Sequence, residues 1–296
     1  MNLGARLVIG LLWCIHWLPL RWQSALGDAL GWLLHALALP RRRIARRNLE
    51  LCLPELDERA RHEIVREHFR WLGCSLVERG LLWYAPRERL DALLEVEGDV
   101  QLAERTRGAV RWLGPHFLGL EAAGLAVQLR QGRPGCDIYR RQSNPVFDAA
   151  IHAGRQRFGG SLLIEKGGGI KPLLRAVRDE GRAMFNMPDM DYGPKESVFV
   201  PFFGVPAATL PAASRLARML SMTVQPVVAE MREGGGWRVR FLPAWTDWPS
   251  DDPVADAARM NRWIETEVRR NPAQYFWVHR RFKTRPSGQP DLYRRG

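Results

Sequence analysis

Residues 109–130 read AVRWLGPHFLGLEAAGLAVQLR, and this stretch decides the fold. The mostly apolar run Ala109–Leu113 predicts a short buried strand, which Gly114 and Pro115 bring to an end. Residues 117–131 then have the length and the apolar spacing of a helix. A strand that turns directly into a helix is the repeating unit of α/β proteins, so this stretch favours that fold class.

The same alternation of strands and helices continues from about residue 93 onward. The other strand candidates are Leu94–Val96, Asp137–Tyr139, Ser161–Ile164, Ala183–Asn186, Thr223–Ala229 and Trp237–Phe241. Helix candidates lie between them, near residues 144–158, 169–180, 208–221 and 254–270. The pattern predicts one α/β domain over residues 93–296, with a mixed central sheet flanked by helices and active residues in loops at strand ends.

Residues 1–40 form an apolar zone. Leu7–Leu20 is fourteen residues without a formal charge, and Gln23–Leu39 is again mostly apolar. Neither reaches the roughly 20 apolar residues of a simple membrane span, and no signal-peptide cleavage site follows the first stretch. We predict an N-terminal anchor of one or two helices that are embedded in a membrane or marginally span it. A pair of buried core helices is the alternative.

Residues 41–92 are predicted to connect this anchor to the α/β domain, through a basic run and a helical region over residues 55–85. The run Arg41–Arg47 contains five arginines in seven residues. Basic residues beside an apolar segment are attracted to anionic headgroups and mark the cytoplasmic side of a membrane. The whole chain carries a net charge of +12. Such an excess favours an anionic partner, which is nucleic acid, a membrane surface or an acidic carrier protein.

Missing motifs argue against several common chemistries. The chain has no G-x-S-x-G elbow, no Walker A loop, no G-x-G-x-x-G after a strand and no H-E-x-x-H. Its four cysteines are scattered without a C-x-x-C pair, which fits neither a zinc site nor a disulfide framework and indicates a reducing compartment. Gly167–Gly169 lacks the lysine and hydroxyl residue of a phosphate loop, so we interpret it as a flexible turn.

His116 is the candidate catalytic residue, because it follows the first strand described above. A side chain at a strand-to-helix turn projects into the crevice above the sheet, where α/β enzymes place their chemistry. Glu121 lies five residues later, just over one helical turn away. A carboxylate beside an imidazole holds one tautomer and raises its basicity, as a general base for a hydroxyl requires. Taken alone the pair is weak, and a core or helix-capping histidine is the simpler explanation.

Residues His116–Glu121 resemble the H-x-x-x-x-D/E motif of glycerolipid acyltransferases, in the form used by lipid A late acyltransferases. Four further motifs of that family follow in the same order along the chain. They are Asp137–Arg141 with Asn144 and Pro145, Pro188–Pro194, Val198–Gly204, and Gln274–Trp277 with His279–Pro286. The sequence therefore resembles, over essentially its whole length, the lipid A biosynthesis late acyltransferases (lauroyl and myristoyl acyltransferases) of the lysophospholipid acyltransferase superfamily.

The resemblance implies an O-acyltransferase that moves a fatty acyl chain from acyl-carrier protein to a hydroxyl of a lipid A precursor. The implied acceptor is a phosphorylated glucosamine disaccharide, and the implied location is the cytoplasmic face of the bacterial inner membrane. His116 would deprotonate the hydroxyl, and Glu121 would orient and polarise His116. The family needs no covalent acyl-enzyme, cofactor or metal. Backbone amides of residues 114–117 or a nearby arginine would stabilise the oxyanion.

The resemblance also points to substrate-binding residues. Arg140, at a strand end, would hold a substrate phosphate through its planar fork. Asp191 and Asp189 would bind sugar hydroxyls or shape their loop, and Lys166 stands where the family often has arginine. Arg280 and Arg281 would hold a phosphate or the carrier protein, or else anchor the C-terminal segment. Chain length would be selected by an apolar pocket, for which Phe199, Phe202 and Phe203 are candidates, although core packing explains them equally well.

Two classes of alternative remain open. An enzyme of the same kind could acylate another glycolipid or phospholipid, or use acyl-CoA as donor. A non-enzymatic protein that binds a membrane surface or nucleic acid through its basic residues is the alternative from another class. It predicts salt-dependent nucleic acid binding and no effect of His116→Ala. A function in RNA binding would not explain the apolar residues 1–40, so we predict no nucleic acid partner.

Overall fold

The computed structural model of the protein describes residues 2–294. The strands in that range are β1 (Leu94–Gly98), β2 (Val110–Leu113), β3 (Gly135–Tyr139), β4 (Leu162–Glu165), β5 (Ala183–Asn186), β6 (Val198–Phe202), β7 (Val205–Thr209), β8 (Thr223–Met231) and β9 (Trp237–Phe241). The helices are α1 (Leu3–Ile15), α2 (Leu20–Leu37), α3 (Leu39–Cys52), α4 (Glu58–Val77), α5 (Arg79–Tyr84), α6 (Arg87–Leu93), α7 (Leu102–Arg105), α8 (Leu120–Arg130), α9 (Pro145–Arg155), α10 (Lys171–Arg178), α11 (Ala212–Met219) and α12 (Pro253–Arg270).

Seven strands form the central sheet, in the order β1-β9-β8-β2-β5-β3-β4. Neighbouring strands run parallel, except that β8 and β9 are antiparallel. Each of these seven strands overlaps a strand expected from the sequence. The predicted α/β class, with a mixed central sheet flanked by helices, is therefore confirmed.

The sheet is covered on both faces, as a largely parallel sheet requires. All four residues of β2 are buried. Val110 and Trp112 pack into one hydrophobic core with α8, and Leu113 packs into the other with α10, α11 and α12. This is the side-chain alternation of a strand that is buried on both faces.

The N-terminal helices pack against the rest of the protein through glycines. A Cβ built on Gly31 of α2 would lie 2.5 Å from the backbone oxygen of Phe69 in α4. One built on Gly73 of α4 would lie 2.3 Å from the backbone oxygen of Gly27. Only glycine permits backbones to approach so closely, so α2 is held firmly on α4.

Other side chains of α1 and α2 are large, apolar and exposed. They include Leu3, Leu7, Leu11, Trp13, Trp22, Leu26, Trp32 and Leu37. No helix within residues 2–294 is long and apolar enough to cross a membrane. The sequence expectation of a marginally spanning segment therefore has no support from the helices described, and α1 and α2 combine a packed side with an exposed apolar surface.

The helical region predicted over residues 55–85 consists of two helices, α4 and α5. The break falls at Glu78, which is buried and accepts a hydrogen bond from Nε1 of Trp237 at 2.8 Å. Gly80 in α5 lies against α1, where an added Cβ would come within 2.5 Å of the backbone oxygen of Leu12. The bend thus allows α5 to pack against α1.

Strands β6 and β7 form a separate antiparallel hairpin that lies against α12. Phe203 and Gly204 join them with φ angles of +50° and +75°. Two central residues with positive φ are the pattern of a type I′ hairpin turn. The helix predicted to begin at residue 208 starts at Ala212 instead, because the residues up to Thr209 complete β7.

Candidate active site

His116 lies at the C-terminal edge of the sheet, in the loop between β2 and α8. Strand β5 is a parallel neighbour of β2, so the loops that follow these two strands meet at one edge. The backbone N–H of Gly114 donates to the carbonyl of Asn186 at the end of β5, at 3.0 Å. Sheet order therefore brings the Pro188–Pro194 loop, which follows β5, beside His116.

Helix α8 begins three residues later than the sequence predicted, at Leu120. The backbone N–H of Phe276 donates to the carbonyl of His116 at 3.0 Å, and that of Leu118 donates to the carbonyl of Gln274 at 2.9 Å. These hydrogen bonds to the C-terminal segment (residues 274–286) keep the backbone around His116 from joining helix α8. The imidazole is thereby presented from a loop that is tied at both ends.

Asp189 is the carboxylate that contacts the imidazole. Nδ1 of His116 donates to Oδ1 of Asp189 at 2.5 Å, and the backbone N–H of His116 donates to Oδ2 at 2.9 Å. Burial alone would raise the pKa of Asp189, but His116 beside it outweighs that effect, so the pKa lies below its ordinary value. A carboxylate at Nδ1 selects the tautomer that leaves Nε2 free to accept a proton. The imidazole is 21% exposed and Asp189 only 1%.

Glu121 is bound by arginines and not by His116. Nε of Arg155 donates to Oε2 of Glu121 at 3.0 Å and Nη2 donates to Oε1 at 2.5 Å, while Arg79 approaches Oε1 to 3.8 Å. Burial would raise the pKa of Glu121, but the two arginines outweigh it and lower the pKa to about 2. Among the described residues, no hydrogen bond joins Glu121 to His116. The expectation from sequence that Glu121 contacts the imidazole of His116 is therefore wrong in this structure, because the arginines occupy both oxygens of Glu121.

Asp137 completes this charged group at the sheet edge. Its carboxylate lies 3.8 Å from Nη1 of Arg155. Burial raises the pKa of Asp137 to about 6, although Arg155 acts in the opposite direction. One arginine thus bridges two carboxylates, and Glu121 has the closer and better-bonded position.

The backbone amides proposed for the oxyanion are already used within the protein. The N–H of Gly114 donates to Asn186, that of His116 to Asp189, and that of Phe117 to the carbonyl of Pro115 at 2.8 Å. An amide that is already bonded is a poor donor to a developing negative charge. An arginine side chain is the better candidate of the two that the sequence offered.

Arg140 and Lys166 stand side by side at this edge of the sheet. They directly follow the neighbouring parallel strands β3 and β4, and the backbone N–H of Lys166 donates to the carbonyl of Tyr139 at 2.8 Å. Both residues are exposed. Nζ of Lys166 lies 4.5 Å from the centre of the Tyr192 ring, and no protein acceptor within residues 2–294 binds the guanidinium of Arg140. Two neighbouring cations are thus open to an anionic ligand.

Asp191 binds the C-terminal segment. It is buried and accepts hydrogen bonds from the backbone N–H and Oγ1 of Thr284, both at 2.8 Å, and from the N–H of Gly193 at 2.9 Å. The backbone N–H of Asp191 donates to Nε2 of His279 at 3.2 Å. Burial, with Lys283 and Arg281 nearby, lowers the pKa of His279 to about 4. These hydrogen bonds support the shaping of the loop, which is one of the two roles that the sequence allowed for Asp191, while the contact with sugar hydroxyls stays a prediction.

Arg280 and Arg281 have different surroundings. Arg281 is 3% exposed and donates to the carbonyl of Ala208 and to Oγ1 of Thr209, at 2.8 and 2.9 Å. It therefore anchors the C-terminal segment to β7, which is the second of the two roles that the sequence allowed. Arg280 is exposed, with its guanidinium 5.7 Å from the centre of the Tyr293 ring. Of the two, only Arg280 is available to a substrate or a carrier protein.

The phenylalanines proposed for a chain-length pocket belong to other parts of the structure. Phe202 is fully buried against Tyr275 and Phe282, and Phe203 packs against Trp277. Phe199 is 39% exposed on the hairpin. Core packing is therefore the explanation for Phe202 and Phe203.

Sequence reasoning missed Arg155 entirely and gave Asp189 a different role. Arg155 ends α9 as one of many arginines, and no local motif distinguishes it from those on the surface. Asp189 lies in a quoted motif, and its contact with His116 depends on β2 and β5 being neighbours. A prediction of strand order would have been the signal for this contact.

Comparisons with known proteins agree on one family. The family model for bacterial lipid A biosynthesis acyltransferases matches residues 2–284. The lipid A biosynthesis lauroyltransferase of Escherichia coli (strain K12) is 38% identical over 292 residues, which cover 96% of this chain and 93% of the relative. The palmitoleoyltransferase of the same organism is 34% identical over 289 residues, 96% of this chain and 92% of the relative. Its myristoyltransferase is 31% identical over 296 residues, covering 99% and 90%.

Proposed function

This chain belongs to the bacterial lipid A biosynthesis acyltransferase family, and we propose that it transfers a fatty acyl chain to a hydroxyl of a lipid A precursor. The observation that carries the mechanism is the bond between Nδ1 of His116 and buried Asp189. It leaves Nε2 free in a partly open crevice, which suits a general base for a hydroxyl. No residue of a nucleophile elbow is needed for such a direct transfer.

The transfer is a single acyl exchange between sulfur and oxygen. Nε2 of His116 takes the proton of the acceptor hydroxyl while its oxygen attacks the carbonyl carbon of the donor thioester. The new C–O bond forms, the C–S bond breaks, and the proton passes from His116 to the leaving thiolate. Asp189 stabilises the imidazolium that exists between these two proton transfers.

Glu121 acts in this proposal through Arg155. The two-point contact with Glu121 fixes the guanidinium of Arg155 at the edge of the site where the thioester reacts. The opposite charges of the two side chains neutralise each other. Arg140 is the candidate for stabilising the oxyanion, because no protein acceptor within residues 2–294 binds its guanidinium, whereas the nearby amides and Arg155 are bonded within the protein. Arg140, Lys166 and Arg280 supply exposed positive charge for the phosphate groups of the acceptor.

Acyl-carrier protein is the proposed donor. Its acidic surface matches the net charge of +12 on this chain. The test is a transfer assay with a lipid A precursor and two thioesters that carry the same acyl group, one on acyl-carrier protein and one on coenzyme A. We expect the carrier-protein thioester to react faster, with a difference that falls as salt rises. Equal rates at all salt concentrations would overturn the donor assignment.

We propose that the protein works at the cytoplasmic face of the bacterial inner membrane, with α1 and α2 lying in the interface. At 1.5 Å per residue, α1 is about 20 Å long, shorter than the roughly 30 Å hydrocarbon core. The exposed leucines and tryptophans of α1 and α2 give this surface the composition of an interfacial helix pair. Part of the basic run is used internally, since Arg41 donates to the carbonyl of Val278 and Arg42 to that of His35.

A vesicle flotation assay tests the membrane surface. The double substitution Leu7→Gln and Leu11→Gln should release the protein from anionic vesicles. Met219→Gln is the control, because Met219 is also large, apolar and exposed but lies on α11. Release by the control and retention of the double variant would show that another surface binds the membrane.

The overall reaction is tested by mass spectrometry of lipid A from cells that lack the gene. We expect the deletion to remove one acyl chain, and wild-type protein but not His116→Ala to restore it. The substitution His62→Ala is the control, because His62 is exposed on α4. Unchanged lipid A after deletion would overturn the acceptor and direct attention to other glycolipids. Full restoration by His116→Ala would overturn the mechanism.

A further inference from the structure

A narrow cavity enters the protein between α8 and α9, beginning beside the charged residues of the active site. Glu121, Asp137 and Arg155 line it, and so does Met187, two residues before Asp189. From there the cavity follows α8 as far as Gln128, a distance of about 10 Å along the helix. The cavity therefore reaches the ends of the two loops that carry His116 and Asp189.

Apart from these three charged residues, the lining of the cavity is mainly apolar. Large side chains include Trp83, Trp112, Phe158, Phe185 and Leu163. The cavity measures about 100 Å³, so a small added group removes much of its room. A narrow apolar cavity that opens at a charged reaction site suits a hydrocarbon chain attached to a polar reacting group.

Gly124 is an unusual residue in this wall, because it interrupts the middle of α8. Glycine in a helix interior destabilises the helix relative to alanine, so its presence needs a reason. Close packing is not the reason, since a Cβ added at Gly124 would meet no atom within 4 Å. By contrast, a Cβ on Gly154 in the opposite wall would lie 2.2 Å from Cδ1 of Trp83. Gly154 is required by packing, whereas Gly124 leaves room.

We propose that the acyl chain of the donor lies in this cavity along α8, and that the absence of a side chain at Gly124 is what admits long chains. The inference rests on the proposed acyl transfer and adds the residue that sets its chain-length specificity. Gly124 lies one helical turn beyond Glu121, in the middle of the part of α8 that lines the cavity, so a side chain there would shorten the room left for a long chain. Phe158 also lines the cavity, and its ring is held between the guanidiniums of Arg87 and Arg157, 5.9 and 4.9 Å from its centre.

The test compares kcat/KM for a series of saturated acyl donors that increase by two carbons. Gly124→Leu should lower the ratio of long-chain to short-chain kcat/KM at least tenfold, because a misfit of one methylene in an apolar pocket changes discrimination by about 10- to 200-fold. Phe158→Ala should shift the preference toward longer chains. Gly108→Leu is the control, because an added Cβ there also meets no atom within 4 Å and Gly108 lies before β2, outside the cavity.

Gly124→Ala provides a second variant whose folding is favoured by helix propensity. It should move the preference in the same direction as Gly124→Leu, by a smaller amount. A proportional loss for every chain length in the Gly124 variants, or an unchanged ratio, would overturn the proposal.

Binding separates this inference from the proposed reaction. Displacement of a fluorescent fatty acid by saturated fatty acids of graded length needs no acceptor and no transfer. If wild type transfers no acyl group to the lipid A precursor, the proposed reaction fails. The cavity assignment still stands if Gly124→Leu weakens the binding of long fatty acids selectively while Gly108→Leu does not. Equal binding by wild type and Gly124→Leu would reject it.

Discussion

The Pro188–Pro194 loop and the first turn of α8 both bring a carboxylate to the active-site edge, and the two carboxylates have different partners. Asp189 in the loop binds His116 through both of its oxygens, one on the imidazole and one on the backbone N–H. Glu121 in the helix binds Arg155 through both of its oxygens. The residue that is five positions away in sequence is engaged elsewhere, and the one 73 positions away makes the contact. Strand order decides which carboxylate serves the base.

The largest expected effect is that of removing the base. His116→Ala should lower kcat/KM for acyl transfer by about 10²–10⁴-fold, which is the typical contribution of general base catalysis. The melting temperature should fall somewhat, because buried Asp189 loses its side-chain partner, and a melting curve shows whether the variant is folded. Steady-state transfer kinetics measure the effect, with His62→Ala as the control. A loss below about tenfold would contradict the assignment of His116 as base.

Asp189→Asn should have the next largest effect on catalysis, about 10²-fold in kcat. An amide in place of the carboxylate cannot stabilise the imidazolium and can favour the other tautomer. The measurement is kcat against pH, together with a melting curve to show that the variant is folded. An unchanged kcat in a folded variant would remove Asp189 from the mechanism.

Glu121→Gln should reduce stability in a pH-dependent way. The pKa of Glu121 is about 2, below its ordinary value, so its stabilisation is complete above the unfolded pKa near 4.3 and is lost as the pH falls through about 2. We expect Glu121→Gln to lower the free energy of unfolding by about 2 kcal/mol at neutral pH, with the difference shrinking below about pH 4. Urea unfolding at several pH values measures it.

The control for this prediction is Glu63→Gln, because Glu63 forms an exposed pair with Arg59 on α4. Exposed pairs of this kind contribute little, so its free energy of unfolding should be nearly unchanged. A difference between wild type and Glu121→Gln that does not depend on pH would contradict the charge pairing with Arg155.

Asp191→Asn should have the smallest effect on catalysis. It weakens hydrogen bonds from Thr284 and Gly193, so the free energy of unfolding should fall by about 1–3 kcal/mol while the kcat of the folded protein stays close to wild type. Urea unfolding and transfer kinetics on the same sample separate the two quantities. A raised KM for the acceptor without loss of stability would instead support the sugar contact predicted from sequence.

Local patterns in the sequence were sufficient for the seven strands of the central sheet, but they missed β7, whose end was assigned to a helix, and they did not give the arrangement of the elements. The apolar run before Gly114 and the helix after it were both recognisable, as were all seven strands of the sheet. The late start of α8 at Leu120 depends on hydrogen bonds to the C-terminal segment, which no local pattern records. No local pattern predicted the hairpin turn either, in which Phe203 and Gly204 have positive φ angles.

The candidate site was predictable in the same limited sense. His116 could be found because a strand end followed by a glycine and a proline exposes the next side chain. Its partner could not, since the contact with Asp189 follows from β5 lying beside β2. Arg280 and Arg281 are adjacent in sequence, yet one is exposed and the other is buried on a backbone carbonyl and a hydroxyl. Composition does not distinguish such neighbours.

A kinetic double-mutant cycle bears most directly on the partner of His116. The rates of wild type, His116→Ala, Asp189→Asn and the double variant are compared, and a second cycle replaces Asp189→Asn with Glu121→Gln. If Asp189 acts through the imidazole, Asp189→Asn should cost almost nothing once His116 is alanine, whereas Glu121→Gln should keep most of its effect. The reverse pattern, with Glu121→Gln silent in the His116→Ala background and Asp189→Asn fully additive, would show that Glu121 orients the base.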